Sequence, residues 1–104
     1  MNWKNNDTKR LIEAFLTLEN ENEVRRFLRD LMTEKEISEF AKRLKAAEML
    51  TNKIPYTVIA KETGLSSTTI ARVAKWLQGK EGGYRTVIAR LHHRITNRLR
   101  RGLS

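Results

Sequence analysis

Chain breakers are scarce in this sequence. One proline and five glycines occur among 104 residues, so long stretches lack the residues that usually interrupt a helix. Apolar residues recur every three or four positions along most of the chain, and no stretch alternates cleanly between apolar and polar residues. The sequence therefore predicts an all-α fold of about six helices in a single domain over residues 1–104.

Apolar spacing and capping residues place the predicted helices. Asn20, with Glu23 three residues later, is predicted to cap the second helix, and Thr33-Glu34-Lys35-Glu36 has the spacing of a capping box. We expect Pro55 at the first position of the fourth helix, where its missing N–H is not needed. The predicted helices run from about Thr8 to Leu18, from the Asn20 cap through Leu31, from Thr33 to about Thr51, over 56–63, over 67–77, and from Tyr84 to about Leu99.

Several classes of site are excluded by the residue types present. No cysteine occurs, which removes disulfides, zinc fingers and cysteine nucleophiles. His92 and His93 diverge by about 100° on a helix, so we expect no metal and no other cofactor. No Ser–His–Asp pattern stands out, so we expect neither catalytic residues nor enzymatic activity. Because no apolar stretch reaches the ~20 residues that span a bilayer and the N-terminus lacks a signal-peptide core, we expect a cytoplasmic protein without a membrane partner.

Charge is unevenly distributed along the chain. Residues 1–48 contain ten basic and ten acidic residues, whereas residues 49–104 contain eleven basic and two acidic residues and carry the whole net charge of +9. A neutral half joined to a basic half suits a scaffold with a polyanion-binding face. Nucleic acid is the default polyanion, an anionic membrane surface is another, and solubility alone is the third interpretation.

Residues 56–77 have the residue sizes that a helix-turn-helix requires. Ala60 is small where two helices cross, and Gly64 permits the positive φ of a tight turn. Ser66 or Ser67 is positioned to cap the second helix. The positions that lock the two helices together are apolar, namely Ile59, Leu65, Ile70 and Val73. A simple helical hairpin explains the glycine and the serine, but not the small Ala60 or the basic half of the chain.

The second helix of this motif is predicted to expose a face that suits the major groove of DNA. Hydroxyl groups reach phosphates or base edges, and Arg and Lys side chains reach guanine or phosphate. The predicted DNA-binding residues are Ser66, Ser67, Thr68, Thr69, Arg72 and Lys75, and the predicted phosphate contacts are Lys53, Lys61, Lys80 and Arg85. The basic C-terminal residues Arg94, Arg98, Arg100 and Arg101 either bind phosphates without sequence preference or form a frayed end.

The stretch from about Phe27 to Leu91 resembles the Trp repressor family. The matching residues are Leu31–Glu36, Arg43, Ile59-Ala60, Thr63-Gly64 and Thr69–Arg72, and the Gly82-Gly83-Tyr84 step resembles the YerC/YecD-type subgroup. The resemblance implies an intertwined homodimer, with dimerisation helices over 1–54, a helix-turn-helix over 55–77, a C-terminal helix over 84–99 and a basic tail over 100–104. Two reading helices about 34 Å apart would then contact successive major grooves of double-stranded DNA at a near-palindromic operator.

The effector position is where this sequence departs from the tryptophan-binding members of that family. Arg43 and Arg72 match the two arginines that sandwich the indole in those members. Val73, however, replaces a glycine, and Trp76 replaces a small hydroxyl residue. We expect these larger side chains to fill the space of the ligand, since packed sites have little spare volume, and we expect Trp76 in the core rather than stacked on a base. Tryptophan is therefore not the expected effector.

These observations predict a sequence-specific transcriptional regulator. The leading hypothesis is a repressor that occupies an operator as a homodimer and thereby blocks polymerase. One alternative is a protein-interaction module that docks an acidic partner such as RNA polymerase. Another alternative is RNA binding through the basic tail.

Overall fold

The computed structural model contains six α-helices over residues 1–103, which confirms the predicted all-α fold. It describes the backbone of residues 1–103 and the side chains of that range except at 97, 98 and 100–103. The helices are α1 (Asn6–Leu16), α2 (Glu21–Leu31), α3 (Glu34–Thr51), α4 (Tyr56–Thr63), α5 (Ser67–Leu77) and α6 (Gly83–Leu103).

The predicted caps at the starts of α2 and α3 are confirmed. Oδ1 of Asn20 accepts a hydrogen bond from the backbone N–H of Glu23 at 3.0 Å. In the capping box, Oγ1 of Thr33 accepts from the N–H of Glu36 at 3.1 Å, and Oε1 of Glu36 accepts from the N–H of Thr33 at 3.0 Å. The backbone N–H of Thr33, and then its hydroxyl, hold the pKa of Glu36 below its ordinary value of 4.5.

Boundaries of α1, α4 and α6 differ from the prediction. α1 begins at Asn6 because the side chain of Asn5 accepts from the next turn, and it ends at Leu16 rather than Leu18. Pro55 is the N-cap of α4 and not its first residue, since its ψ of 148° is extended. α6 continues to Leu103, beyond the predicted end at Leu99, because neither proline nor glycine occurs between 84 and 101. Along the residues that the structure describes, no helix has the length and apolarity needed to cross a membrane.

The chain divides into two compact units, Met1–Ser38 and Glu39–Ser104. In the first unit, the rings of Phe15 and Phe27 meet edge to face, with their centroids 5.3 Å apart. None of the described residues of α1 and α2 is buried. The exposed large apolar residues of these two helices are Leu11, Ile12, Phe15, Leu16, Val24 and Leu31. The apolar face predicted from the helical spacing is therefore open to solvent in the single chain.

The second unit contains a buried apolar core. Its buried members come from α3, α4, α5 and the turn between α4 and α5, and they are Ala46, Ala47, Ile59, Leu65, Ile70 and Val73. Tyr84 and Ile88 of α6 pack against this cluster. Burying one large aliphatic side chain contributes about 1.5–3 kcal/mol relative to leaving it exposed. The core thus fixes α4 and α5 against residues of α3 and α6.

Candidate nucleic-acid interface

Gly64 forms the sharp bend between α4 and α5. Its backbone is left-handed, with φ of 75° and ψ of 5°, and its N–H donates to the carbonyl oxygen of Ala60 at 2.8 Å. A Cβ at this position would have no heavy atom within 4 Å. The requirement for glycine is therefore conformational rather than steric, because an L side chain rarely adopts this φ. The bend lies where the sequence predicts the turn of a helix-turn-helix.

Thr63 closes the same turn with a buried hydroxyl. Its Oγ1 donates to the carbonyl oxygen of Ile59 at 2.7 Å and accepts from the N–H of Leu65 at 3.2 Å. Leu65 is itself buried, so this N–H has its acceptor away from water. From the sequence, Thr63 is named only among the residues that carry the family resemblance and has no predicted role in the turn. The available signal is a threonine immediately before a helix-ending glycine, since such hydroxyls bond readily to nearby backbone groups.

α4 and α5 pack directly against each other, as the sequence predicts. Ile59, Ile70 and Val73 are completely buried, and Leu65 is nearly so. Ala60, expected at the crossing of the two helices, is half-buried. All of the positions predicted to lock the motif therefore lie in or beside the core.

The start of α5 is capped by Ser66 and not by Ser67. The Ser66 Oγ accepts from the N–H of Thr69 at 3.1 Å, and its hydroxyl lies 3.0 Å from the Oγ1 of Thr69. Thr69 is half-buried, whereas Ser67 and Thr68 are exposed. Two of the predicted DNA-binding hydroxyls are thus engaged in forming the helix start, and the other two point to solvent.

One face of α5 carries the remaining predicted DNA-binding residues. Thr68, Arg72 and Lys75 are exposed and share a face of the helix, since they are four and three positions apart. The buried Ile70 and Val73 lie toward the core. α5 contains no acidic residue, so the exposed face is basic and rich in hydrogen-bond donors. This surface has the chemistry required for contacts with base edges and phosphates.

The predicted phosphate contacts fall into two groups. Lys53, Lys61 and Lys80 are exposed, and Lys53 has a positive φ of 60° in the turn before α4. Arg85 is also exposed, but its guanidinium donates a hydrogen bond to the carbonyl oxygen of Leu77 at the end of α5. Arg94 is exposed as well. The predicted contacts at Arg98, Arg100 and Arg101 lie outside the described side chains.

Arg43, the first of the predicted effector positions, contacts residues of its own helix. Its guanidinium carbon lies 5.7 Å from the centroid of the Phe40 ring, and its Nε lies 3.7 Å from the Oε1 of Glu39. This separation makes an ion pair but is too long for a hydrogen bond. Nε is buried and has no hydrogen-bond partner within the described part of the chain.

The expectation that Trp76 lies in the core is wrong. Val73 is fully buried, but the Trp76 side chain is 48% exposed. The physical reason is the phase of the helix, because Ile70, Val73 and Leu77 face inward and Trp76 falls at the edge of that face. Trp76 instead lines a groove of about 720 Å³, together with Leu44, Lys75, Gly79, Lys80, Glu81, Gly83, Tyr84 and Val87.

α4 and α5 are two short helices that pack through a buried core and are joined by a left-handed glycine turn, and the second of them exposes a basic face. This arrangement is that of the helix-turn-helix class of DNA-binding domains. The Trp repressor protein family matches residues 6–92 of the chain. The chain therefore belongs to the Trp repressor family, whose members are DNA-binding regulators rather than enzymes.

Individual relatives agree with this assignment. The protein YerC of Bacillus subtilis (strain 168) is 37% identical over 81 residues, which cover 78% of each chain. A TrpR-like protein from Eubacterium eligens ATCC 27750 superimposes with a TM-score of 0.80 at 35% identity, over 86% of this chain and 93% of that one. A candidate Trp repressor from Staphylococcus aureus also gives 0.80, at 34% identity, over 88% and 95%. The predicted resemblance to the YerC-type subgroup is confirmed.

Proposed function

We propose that this protein is a transcriptional repressor that binds a near-palindromic operator as a homodimer. The observation that carries the proposal is the exposed face of α5, where Thr68, Arg72 and Lys75 stand together on a helix fixed by a buried core. Occupying an operator that overlaps a promoter blocks polymerase sterically. The mechanism needs no chemistry beyond binding, in keeping with a family of regulators.

The roles of the α5 side chains follow from their donors and acceptors. The Arg72 guanidinium is suited to two parallel hydrogen bonds with the major-groove edge of guanine. The Thr68 and Ser67 hydroxyls suit base edges or phosphates, and Lys75 suits a guanine or a phosphate. Lys53, Lys61 and Lys80 add contacts to the DNA backbone, which raise affinity for any sequence.

Homodimerisation is supported by the apolar surface of the first unit. α1 and α2 have no buried residue among those described, and Ile12 remains 43% exposed in the single chain. Phe40 of α3, in the second unit, is exposed to the same extent, at 43%. Residues 1–48 carry equal numbers of basic and acidic residues, so these segments of two copies meet without net charge repulsion, although each whole chain carries +9. A second copy covers these faces and, by two-fold symmetry, presents two α5 helices to successive major grooves about 34 Å apart.

Tryptophan is not the proposed effector. Val73 is fully buried where the tryptophan-binding members have glycine, so no Cα surface is open to an indole at that position. Titration calorimetry with L-tryptophan tests this part of the proposal, and we expect no saturable heat. A saturable micromolar signal would show that the site accepts the ligand despite Val73 and Trp76.

The central test is selection of bound sites from random duplex DNA, with and without added amino acids. We expect enrichment of one near-palindromic sequence that does not depend on amino acids. Arg72→Ala combined with Thr68→Ala should abolish the shift of the selected duplex while the protein remains dimeric. Arg10→Ala is the matched control, since Arg10 is an exposed arginine on α1. If the double variant bound like the parent, α5 would not be the reading helix.

A second candidate function is docking of an acidic protein partner such as RNA polymerase. The groove beside α5 favours it, because Trp76 and Tyr84 line the groove and Lys75 and Lys80 supply positive charge. This function predicts that random duplex selection enriches no sequence. It also predicts binding to purified polymerase that survives high salt, which phosphate contacts do not.

A further inference from the structure

Arg85 lies in the first turn of α6 and hydrogen-bonds to the backbone at the end of α5. Its Nη1 donates a hydrogen bond to the carbonyl oxygen of Leu77, the last residue of α5. Its Nη2 lies 3.0 Å from the position that a Cβ on Gly82 would occupy. Gly82 is buried and has a φ of +69°. The guanidinium therefore bonds to the end of α5 and passes close to Gly82, the last residue before α6.

The Arg85 contact adds to backbone hydrogen bonds that already fix both ends of the α5–α6 linker. The N–H of Gln78 donates to the carbonyl of Ala74 at 3.2 Å, and the N–H of Thr86 donates to the carbonyl of Gly82 at 3.0 Å. The last carbonyls of a helix have no partner within the helix, and a cation near them is favoured by the helix dipole. Arg85 supplies a donor and a positive charge at that point. A side chain of α6 thus fixes the C-terminal end of α5.

We infer that Arg85 is a positioning residue that fixes the angle of α5 relative to α6, and hence the orientation in which the exposed face of α5 meets DNA. The inference rests on the proposed function, because the orientation of α5 affects recognition only if α5 contacts base edges. Paired hydrogen bonds to one base tolerate little misalignment, whereas phosphate contacts tolerate more. Losing the Arg85 contact therefore lowers sequence preference more than it lowers affinity for DNA in general.

A direct phosphate contact, the role predicted for Arg85 from the sequence, has a different signature. Removing one such contact weakens binding to every duplex by the same factor and reduces the salt dependence of binding by about one unit. A role in stability alone has a third signature, which is a lower melting temperature with the operator preference unchanged. The three roles are therefore separable by measurement.

The experiment compares Arg85→Lys and Arg85→Gln with the parent on the selected operator and on a scrambled duplex, over a series of salt concentrations. Lysine keeps the positive charge but lacks the planar guanidinium that reaches the carbonyl oxygen of Leu77. We expect Arg85→Lys to lower the operator-to-scrambled affinity ratio by about tenfold with an unchanged salt slope. Lys61→Gln is the comparator, and it should weaken both duplexes equally. Circular dichroism and sedimentation confirm that each variant folds and keeps its oligomeric state.

Amide hydrogen exchange tests the contact itself without DNA. We expect amide exchange in residues 78–82 to accelerate about tenfold or more in Arg85→Lys, because the linker loses the hydrogen bond from the Arg85 guanidinium to the Leu77 carbonyl. An unchanged affinity ratio, an equal loss on both duplexes, or unchanged exchange in the linker overturns the inference. If the parent protein prefers no duplex, the proposed DNA function fails, and the exchange measurement alone then decides whether Arg85 fixes α5.

Discussion

The two units of the chain are both built from amphipathic helices but differ in what they bury. In Glu39–Ser104, residues from α3, α4 and α5 form a core with completely buried side chains. In Met1–Ser38, the described residues of α1 and α2 include none that is buried, although their apolar residues also recur every three or four positions. Amphipathic spacing therefore predicts that a helix buries its apolar face. It does not tell whether the same chain or a second chain packs against that face.

Because of this difference, the two units depend on different contacts for their stability. The helix-turn-helix needs to hold one surface, the α5 face, in a fixed position, and a core within one chain does this at any protein concentration. In the proposed homodimer, burial of the apolar faces of α1 and α2 contributes stability only after a second copy covers them. Folding and assembly are expected to be coupled in the first unit and separable in the second.

The largest expected effect is on the core of the second unit. Ile70→Ala removes a completely buried side chain and should lower the free energy of unfolding by about 2–5 kcal/mol, measured by urea denaturation. Val58→Ala is the matched control on α4, because Val58 is 42% exposed and should cost under about 1 kcal/mol. Equal costs at the two positions would contradict the assignment of the core to this unit.

The second prediction concerns the exposed face of α1. Ile12→Asp should raise the dimer dissociation constant roughly a hundredfold, about 3 kcal/mol, because dimerisation would bury an unpaired carboxylate. Sedimentation over a concentration series measures the change. Arg10→Asp introduces the same residue on the polar side of α1, where the Arg10 side chain is 85% exposed, and should leave the constant nearly unchanged. Equal effects of the two substitutions would show that the second copy does not cover this face.

The parts of the molecule that follow from the sequence are those fixed by neighbouring residues. Asn20, the Thr33 capping box and Gly64 each act within one turn of backbone, so residue type and spacing suffice to place them. Trp76 could not be placed in this way, because its exposure depends on which side of α5 the core covers. Arg85 is likewise invisible to spacing rules, since it reaches a carbonyl eight residues earlier across a linker.

The third prediction tests how the turn between α4 and α5 is held. Thr63→Val keeps the shape of the side chain but leaves the buried N–H of Leu65 without its acceptor, so it should cost about 1–3 kcal/mol of unfolding free energy. Thr51→Val is the matched control, because Thr51 is exposed and its hydroxyl bonds backward, to the carbonyl oxygen of Ala47 at 2.9 Å, with no second bond among the described residues. A loss at Thr51 as large as that at Thr63 would mean that the backward bond, and not the turn contact, accounts for the effect.

The smallest expected effect is a pH dependence at the start of α3, in the first unit. The backbone N–H and hydroxyl of Thr33 lower the pKa of Glu36 in the folded protein, so folding favours the ionised carboxylate. The resulting stability is present above the ordinary pKa of 4.5 and is lost as the pH falls through the lower, folded value. Thermal unfolding of the parent and of Glu36→Gln should therefore differ near neutral pH and converge in acid. A difference that stays constant through this range would show that Glu36 contributes through its hydrogen bonds alone and not through its charge.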